Sequence, residues 1–320
     1  MLKGSWSDWS CPLAISGEGV TRGRVTETFI SLCKKLHSDA VIYIGVREKG
    51  MNLKLSTRQI ALMAVFAALF YVLSLIAPIR IPVPTIGTME ISFAALIATV
   101  FGIVLGPYLG AAAALLGSSV SWALTGMSPF GLPFVLAPVL NALVSGFIFY
   151  RKWKWGFLVF AAMVIVFLFT PPVTPLTENW YIALAVLFDK VITLALIAPI
   201  ALLARRMSVG HAAAFFFLLG FVGNQADNMW GSMAFALPGV YDNIFFMDIA
   251  GVRLAFLASP FLYPAVRLVE AVIVMIIAVP LMQALKGTPW LWRKDNILSN
   301  NGKSQNFPNK NAETTVLGQS

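Results

Sequence analysis

The chain has 320 residues, of which 58% are hydrophobic and only 12% are charged, and its mean hydropathy is +0.80. Soluble domains carry about a quarter charged residues, so this composition excludes an ordinary soluble protein and indicates a polytopic membrane protein. The net charge of +9 is not a nucleic-acid signature, because the basic residues of the apolar region cluster in short loops, as the positive-inside rule requires.

Residues 1–50 consist of short mixed stretches without the apolar core of a signal peptide. Two interpretations stay open. The segment is a small cytoplasmic extension, or translation starts at Met51, because MNLKLSTRQIALMA resembles the basic lead-in of a protein that begins at its first membrane helix. Both cysteines, Cys11 and Cys33, lie in this segment, so neither a disulfide framework nor a cysteine metal site is predicted.

Eight apolar runs separated by turn residues predict eight membrane helices. They lie near residues 57–77, 90–105, 107–125, 131–150, 155–171, 179–204, 211–237 and 259–285. If both termini are cytoplasmic, the opposite side holds only Arg80 and Arg253, and the other basic residues of the loops lie on the cytoplasmic side. These are Lys54, Arg58, Arg151, Lys152, Lys154, Arg205, Arg206, Lys286, Arg293 and Lys294. We therefore predict an all-α polytopic membrane protein, with residues 51–287 in the membrane domain and a disordered cytoplasmic tail over 288–320.

The seventh apolar run contains an unusually polar stretch, GNQADNMWGS, at residues 223–232. An ionisable residue inside a membrane helix costs about 2.5 to 3.5 kcal/mol, so each one requires a partner or a polar cavity. At 3.6 residues per turn most of these side chains share one face, and glycines bracket them. The face carries Gly220, Asn224, Asp227, Asn228 and Gly231, and Gln225 flanks it.

Further polar residues occur at similar depths in the outer half of other predicted helices. They are Asp189 and Lys190 in the sixth helix, Arg267 and Glu270 in the eighth, and Glu90 at the mouth of the second. Together with Trp122 and Trp230, this pattern predicts a cavity that is open to the outside and binds a small polar molecule with a flat ring. The alternative is that the polar groups only fix helix packing, while the tryptophans form an interfacial belt.

The sequence contains no GxxxxGK[ST], HExxH or GxSxG motif, and its only histidines are His37 and His211. It therefore predicts no catalytic residue, no metal site and no cofactor, and it favours binding without chemistry. Three other classes stay open: a self-sufficient ion-coupled carrier that uses the charged pairs of the sixth and eighth helices, an intramembrane enzyme, and a structural membrane protein.

Four stretches occur in an order that resembles the substrate-binding S components of energy-coupling factor (ECF) vitamin transporters. They are the motif Ala64-xxx-Ala68, the loop PIRIPVPTIGTMEIS, the segment FAALIATVFGIVLGPYLGAAAALLGSSVSWALTG and the final RLVEAVIVMIIAVPLMQALK. The resemblance implies a subunit that captures a micronutrient from outside and works with a coupling transmembrane subunit and a pair of ATPase subunits. It further implies that Ala64 and Ala68 contact the coupling subunit and that residues 78–90 gate the site. The family core has six helices, so a count of eight implies either two inserted helices or a different division of the chain, mainly over residues 151–210.

Overall fold

The computed structural model of the chain describes residues 56–76, 79–83, 87–91, 93–204, 211–258 and 260–285. The predicted N-terminal extension and the predicted C-terminal tail lie outside these residues, as do Arg205 and Arg206 of the basic loops. Within the described ranges the chain is helical apart from one two-stranded hairpin.

The elements follow the order of the predicted apolar runs closely. They are α1 (Thr57–Ser74), β1 (Ile79–Val83), β2 (Gly87–Ile91), α2 (Phe93–Leu105), α3 (Pro107–Leu124), a 3-10 turn (Leu132–Phe134), α4 (Ala137–Phe149), α5 (Trp153–Leu168), α6 (Leu176–Leu203), α7 (Ala212–Phe235), α8 (Pro238–Tyr241), α9 (Ile249–Ala258) and α10 (Leu262–Ala284). Each of the eight predicted runs contains a helix. Two features were not predicted: the hairpin, and the pair α8 and α9 between the seventh and eighth runs.

The hairpin lies in the segment that was predicted to be a loop. Its strands are antiparallel, with Ile79 opposite Ile91 and Val83 opposite Gly87. β-branched residues at alternate positions of β1 favour a strand, and a proline is tolerated because a two-stranded ribbon has open edges. The predicted second helix consequently begins at Phe93, and Glu90 belongs to β2.

Four helical segments in the described part of the chain are long and apolar enough to cross a membrane. They are Thr57–Ser74, Leu132–Phe149, Leu176–Leu203 and Leu262–Ala284, and shorter apolar helices accompany them. Large apolar side chains such as Val65, Leu158 and Val191 are exposed, as is normal where lipid replaces water. The helices therefore fit a polytopic membrane protein, whereas the count of eight spans and the cytoplasmic termini remain predictions.

Helix α7 is the centre of the fold and packs against α2, α4, α5, α6 and α10. Two glycines allow this close approach. A Cβ atom at Gly223 would collide with the side chains of Asn141 and Thr99, and one at Gly220 would lie 2.9 Å from the side chain of Val274. The apolar core beside α7 is built mainly from large side chains that are almost completely buried. Among them are Phe149, Phe160, Phe167, Phe215 and Leu219.

Candidate ligand-binding site

A cavity of about 660 Å³ lies between α6, α7, α9 and α10. Its size is within the range of sites that bind small molecules and cofactors, about 300 to 1,000 Å³. Its walls are formed by Phe130, Phe134, Ala137, Ala185, Val186, Lys190, Asp227, Asn228, Gly231, Ser232, Phe235, Phe245, Ala255, Phe256, Pro260, Tyr263 and Arg267.

One side of the cavity is polar, and the central helix supplies most of it. The predicted stripe on α7 places Asp227, Asn228 and Gly231 on the wall, because their spacing puts them on one helix face. Lys190 reaches the cavity from α6 and Arg267 from α10. Two cations, a carboxylate and an amide therefore surround the same space.

The remaining wall is rich in aromatic rings, none of which was predicted to belong to the site. Phe245 is central among them: its ring centroid lies 5.4 Å from that of Phe130 and 5.3 Å from that of Phe235, in edge-to-face geometry. Phe256 and Tyr263 add two more rings. The signal in the sequence is the presence of phenylalanines in turn-rich segments, SPFGLPF and DNIFFMD, beside the membrane helices.

Arg267 is held mainly by a carboxylate that does not line the cavity. Its Nη1 donates to Glu270 Oε2 at 2.6 Å, one helical turn away on α10, and Glu270 is only 2% exposed. The separation between Arg267 Nη2 and Asp227 Oδ1 is 3.9 Å, which is too long for a hydrogen bond. Arg267 therefore forms a short ion pair with Glu270, whereas the carboxylate of Asp227 lies farther from the guanidinium.

Lys190 is paired within its own helix. Its Nζ lies 2.9 Å from Asp189 Oδ2, and Gln225 Nε2 of α7 donates to the same oxygen at 3.0 Å. Neither Asp189 nor Gln225 lines the cavity, although both were predicted to bind the ligand. Their observed contacts position the Lys190 ammonium and join α6 to α7.

Asn224, also predicted as a ligand-binding residue, belongs to a different buried network. Thr99 Oγ1 donates to Asn141 Oδ1 at 2.7 Å, and Asn141 Nδ2 donates to Asn224 Oδ1 at 3.0 Å. This chain of hydrogen bonds connects α2, α4 and α7. Asn224 is not among the residues that line the cavity, because its position one turn before Asn228 brings it opposite α4.

The two predicted tryptophans also lie outside the cavity wall. Trp122 Nε1 donates to the carbonyl oxygen of Ser128 at 2.6 Å, and Trp230 Nε1 donates to that of Pro133 at 2.8 Å. Both hydrogen bonds hold the segment that carries Phe130, so the tryptophans position part of the aromatic wall without lining the cavity. The side chain of Glu90 is outside the described part of the structure, and only its backbone in β2 is placed.

Three polar atoms on the cavity wall have no hydrogen-bond partner within the described protein. They are Asp227 Oδ2, Asn228 Oδ1 and Arg267 Nε. Leaving a buried polar group unsatisfied costs about 1 to 3 kcal/mol, so a bound molecule that pairs with these atoms recovers that energy. Among the described residues, no group of three or more His, Cys, Asp or Glu side chains is arranged to hold a metal ion.

Apolar helices of membrane-spanning length around a cavity that is polar on one side and aromatic on the other are typical of membrane proteins that bind small molecules. Residues 54–204 match the family model described as "ECF-type riboflavin transporter, S component". The match covers α1 to α6, just under half of the chain, and confirms the predicted resemblance to an ECF S component. No curated protein and no solved structure matches the chain significantly. Most of the residues that line the cavity follow residue 204 and thus lie outside the matched segment.

Proposed function

We propose that this chain is the substrate-capture subunit of an ECF-type ABC uptake transporter. It binds a small water-soluble vitamin or a related heterocycle from outside, and separate subunits hydrolyse ATP. The observation that carries the proposal is the cavity itself, with hydrogen-bonding atoms on one side and aromatic rings on the other, in a chain whose segment 54–204 matches the S-component family.

The contacts support binding of a flat ring. The phenylalanines of the aromatic wall offer ring surfaces for stacking, and Asp227 and Asn228 offer oxygen atoms at the opposite wall. The name of the matched family points to riboflavin, a flat heterocycle, as one candidate. The wall residues beyond the matched segment decide which heterocycle this chain accepts.

A membrane subunit of this kind needs partners that supply energy. The sequence contains no P-loop motif, so ATP hydrolysis is assigned to a pair of ATPase subunits that act through a coupling transmembrane subunit. Ala64 and Ala68 are exposed on α1, and of that helix only Met63 and Phe70 are buried. Their small side chains leave room for a helix of the coupling subunit to approach closely.

Mass spectrometry of the purified full chain tests the capture function. We expect a small heterocyclic compound to co-purify, to raise the melting temperature when it is added back, and to bind more weakly to the variant Asp227→Ala. A protein that retains no compound, and whose melting temperature no candidate nutrient changes, would contradict the proposal.

A self-sufficient ion-coupled carrier is the second candidate. The observation that favours it is the presence of two buried ion pairs, Asp189 with Lys190 and Arg267 with Glu270, in helices that are long enough to span a membrane. Vesicles that contain this chain alone distinguish the two candidates. A carrier accumulates ligand in them and stops when the ion gradient is collapsed, whereas a capture subunit only binds it.

A further inference from the structure

Among the described residues, the buried and part-buried charges on α6, α7 and α10 do not balance. Three carboxylates, Asp189, Asp227 and Glu270, face two cations, Lys190 and Arg267, and all five belong to the same group of packed helices. The formal charge of this group is therefore negative by one. At buried positions, such an excess charge favours a ligand of opposite sign.

The distances identify which carboxylate carries the excess. Asp189 pairs with Lys190 at 2.9 Å and Glu270 with Arg267 at 2.6 Å, and both of these carboxylates lie behind the wall. Asp227 is left with a single contact of 3.9 Å to Arg267, and its Oδ2 has no hydrogen-bond partner. It lies on the wall and is only 8% exposed. Among the described residues, the carboxylate with the weakest ion pair is therefore one that lines the cavity.

The groups next to Asp227 define the hydrogen bonds that a ligand must make. Asn228 Oδ1, on a residue that is 7% exposed, is a second acceptor without a partner in the described protein. Arg267 Nε is a donor without a partner. The two acceptors call for a ligand group that donates two N–H hydrogen bonds, as an aromatic amino group does.

The aromatic wall favours the same ligand charge independently. Five phenylalanines and a tyrosine line the cavity, and the face of an aromatic ring attracts a cation within about 6 Å. The two cations on the wall, Lys190 and Arg267, are each held by a carboxylate behind it. An anionic ligand would compete with those carboxylates, and it would also meet the electron-rich ring faces and the carboxylate of Asp227. From these two observations we infer that the site selects a small, flat organic cation that donates N–H hydrogen bonds to Asp227 and Asn228. This inference rests on the proposed capture function and specifies its substrate class.

Probes that share one ring system but differ in charge test this inference on the purified full chain in detergent. They are 4-aminoquinaldine, which is protonated at neutral pH and carries N–H donors, neutral quinaldine and anionic quinaldate, with riboflavin as a larger neutral probe. We expect 4-aminoquinaldine to bind best, as measured by isothermal titration and by the rise in melting temperature.

The variant Asp227→Asn removes the excess charge with almost no change of shape. Hydrogen bonds to charged groups are worth about 1.5 to 3 kcal/mol, so the affinity for 4-aminoquinaldine should fall about tenfold to hundredfold. Asp242→Asn is the matched control, because Asp242 is exposed and does not line the cavity, and it should leave the affinity unchanged.

Three results would overturn the inference: tighter binding of quinaldine, quinaldate or riboflavin than of the cation, an affinity for the cation that Asp227→Asn does not reduce, and no binding of the cation at all. The probe series on the unsubstituted chain decides the question even if the variant fails to fold. If a neutral or anionic compound binds in the cavity, the charge inference fails while the capture function stands. The capture function is tested separately, by mass spectrometry of the compound that the protein retains on purification.

Discussion

Asn224 and Asn228 are the same residue type on the same face of α7, one helical turn apart, yet their surroundings differ. Asn224 accepts a hydrogen bond from Asn141, and this bond belongs to the network that joins three helices. Asn228 faces the cavity, and its Oδ1 has no partner in the described protein. A shared helix face therefore does not imply a shared role, because each turn of α7 meets a different neighbour.

This difference predicts opposite effects of two alanine substitutions. Asn224→Ala leaves the Asn141 amide without its acceptor, so we expect a loss of about 1 to 3 kcal/mol in stability and little change in ligand affinity. Asn228→Ala should weaken binding of the retained ligand several-fold and change the melting temperature little. Thermal unfolding and ligand titration of both variants check this. Equal effects of the two substitutions on affinity would show that Asn224 also contacts the ligand.

The segment between α7 and α10 forms part of the cavity wall, and contacts with other elements hold it in place. It contains the short helices α8 and α9, and between them lies a stretch that carries Phe245. Phe245 contacts the rings of Phe130, Phe134 and Phe235, and in this way it joins this segment to the start of α4 and to α7. Arg253 Nε of α9 donates to the carbonyl oxygen of Pro172 at 3.0 Å, which fixes the segment to the connection between α5 and α6.

Phe245→Ala should therefore weaken ligand binding, because it removes a ring from the wall together with the edge-to-face contacts that position its neighbours. Each such aromatic contact is worth about 0.5 to 1.5 kcal/mol, so we expect a loss of about tenfold in affinity. Phe246 is the matched control, since it is adjacent in sequence, 81% exposed and absent from the cavity wall. Ligand titration of Phe246→Ala should give the affinity of the unsubstituted chain. A similar loss in both variants would remove Phe245 from the site.

At the scale of the whole molecule, the family match and the cavity occupy different parts of the chain. The matched segment supplies α1 to α6, including the exposed face of α1, whereas most of the cavity wall comes from α7, α9, α10 and the segment around Phe245. The proposed coupling surface and the proposed substrate site therefore lie in different parts of the chain. The proposed interface with the coupling subunit and the ligand site should accordingly respond to different substitutions.

The double substitution Ala64→Leu and Ala68→Leu tests this separation. Both alanines are exposed, so the variant should fold and bind ligand normally, but the bulkier side chains should prevent close helix approach and abolish co-purification with the coupling subunit. The control is Ala162→Leu, which places the same bulk at an exposed position on α5. Undiminished assembly of the double variant would contradict the assignment of these alanines to the interface.

Local sequence determines the helical, membrane-embedded character of this protein. Hydropathy and turn residues act over short stretches, and for that reason all eight predicted runs contain helices. The hairpin at residues 79–91 was harder to predict, because its prolines are typical of a loop and only strand pairing makes the backbone regular. The helical spacing from Gly220 to Gly231 likewise predicted one polar face, and in the structure this stretch lies within the continuous helix α7.

The tertiary structure alone decides which polar residues face the cavity. Both Gln225 and Asp227 are almost completely buried, so burial alone does not show which of them lines the cavity. The neighbouring elements decide this, because the Gln225 amide donates to Asp189 of α6, whereas Asp227 lies on the cavity wall. The tertiary structure also decides which carboxylate pairs with Arg267, because Glu270 lies closer to the guanidinium than Asp227 does. The physical reason is that hydropathy and periodicity are properties of one helix, whereas a binding site and its net charge are properties of the several helices that surround it.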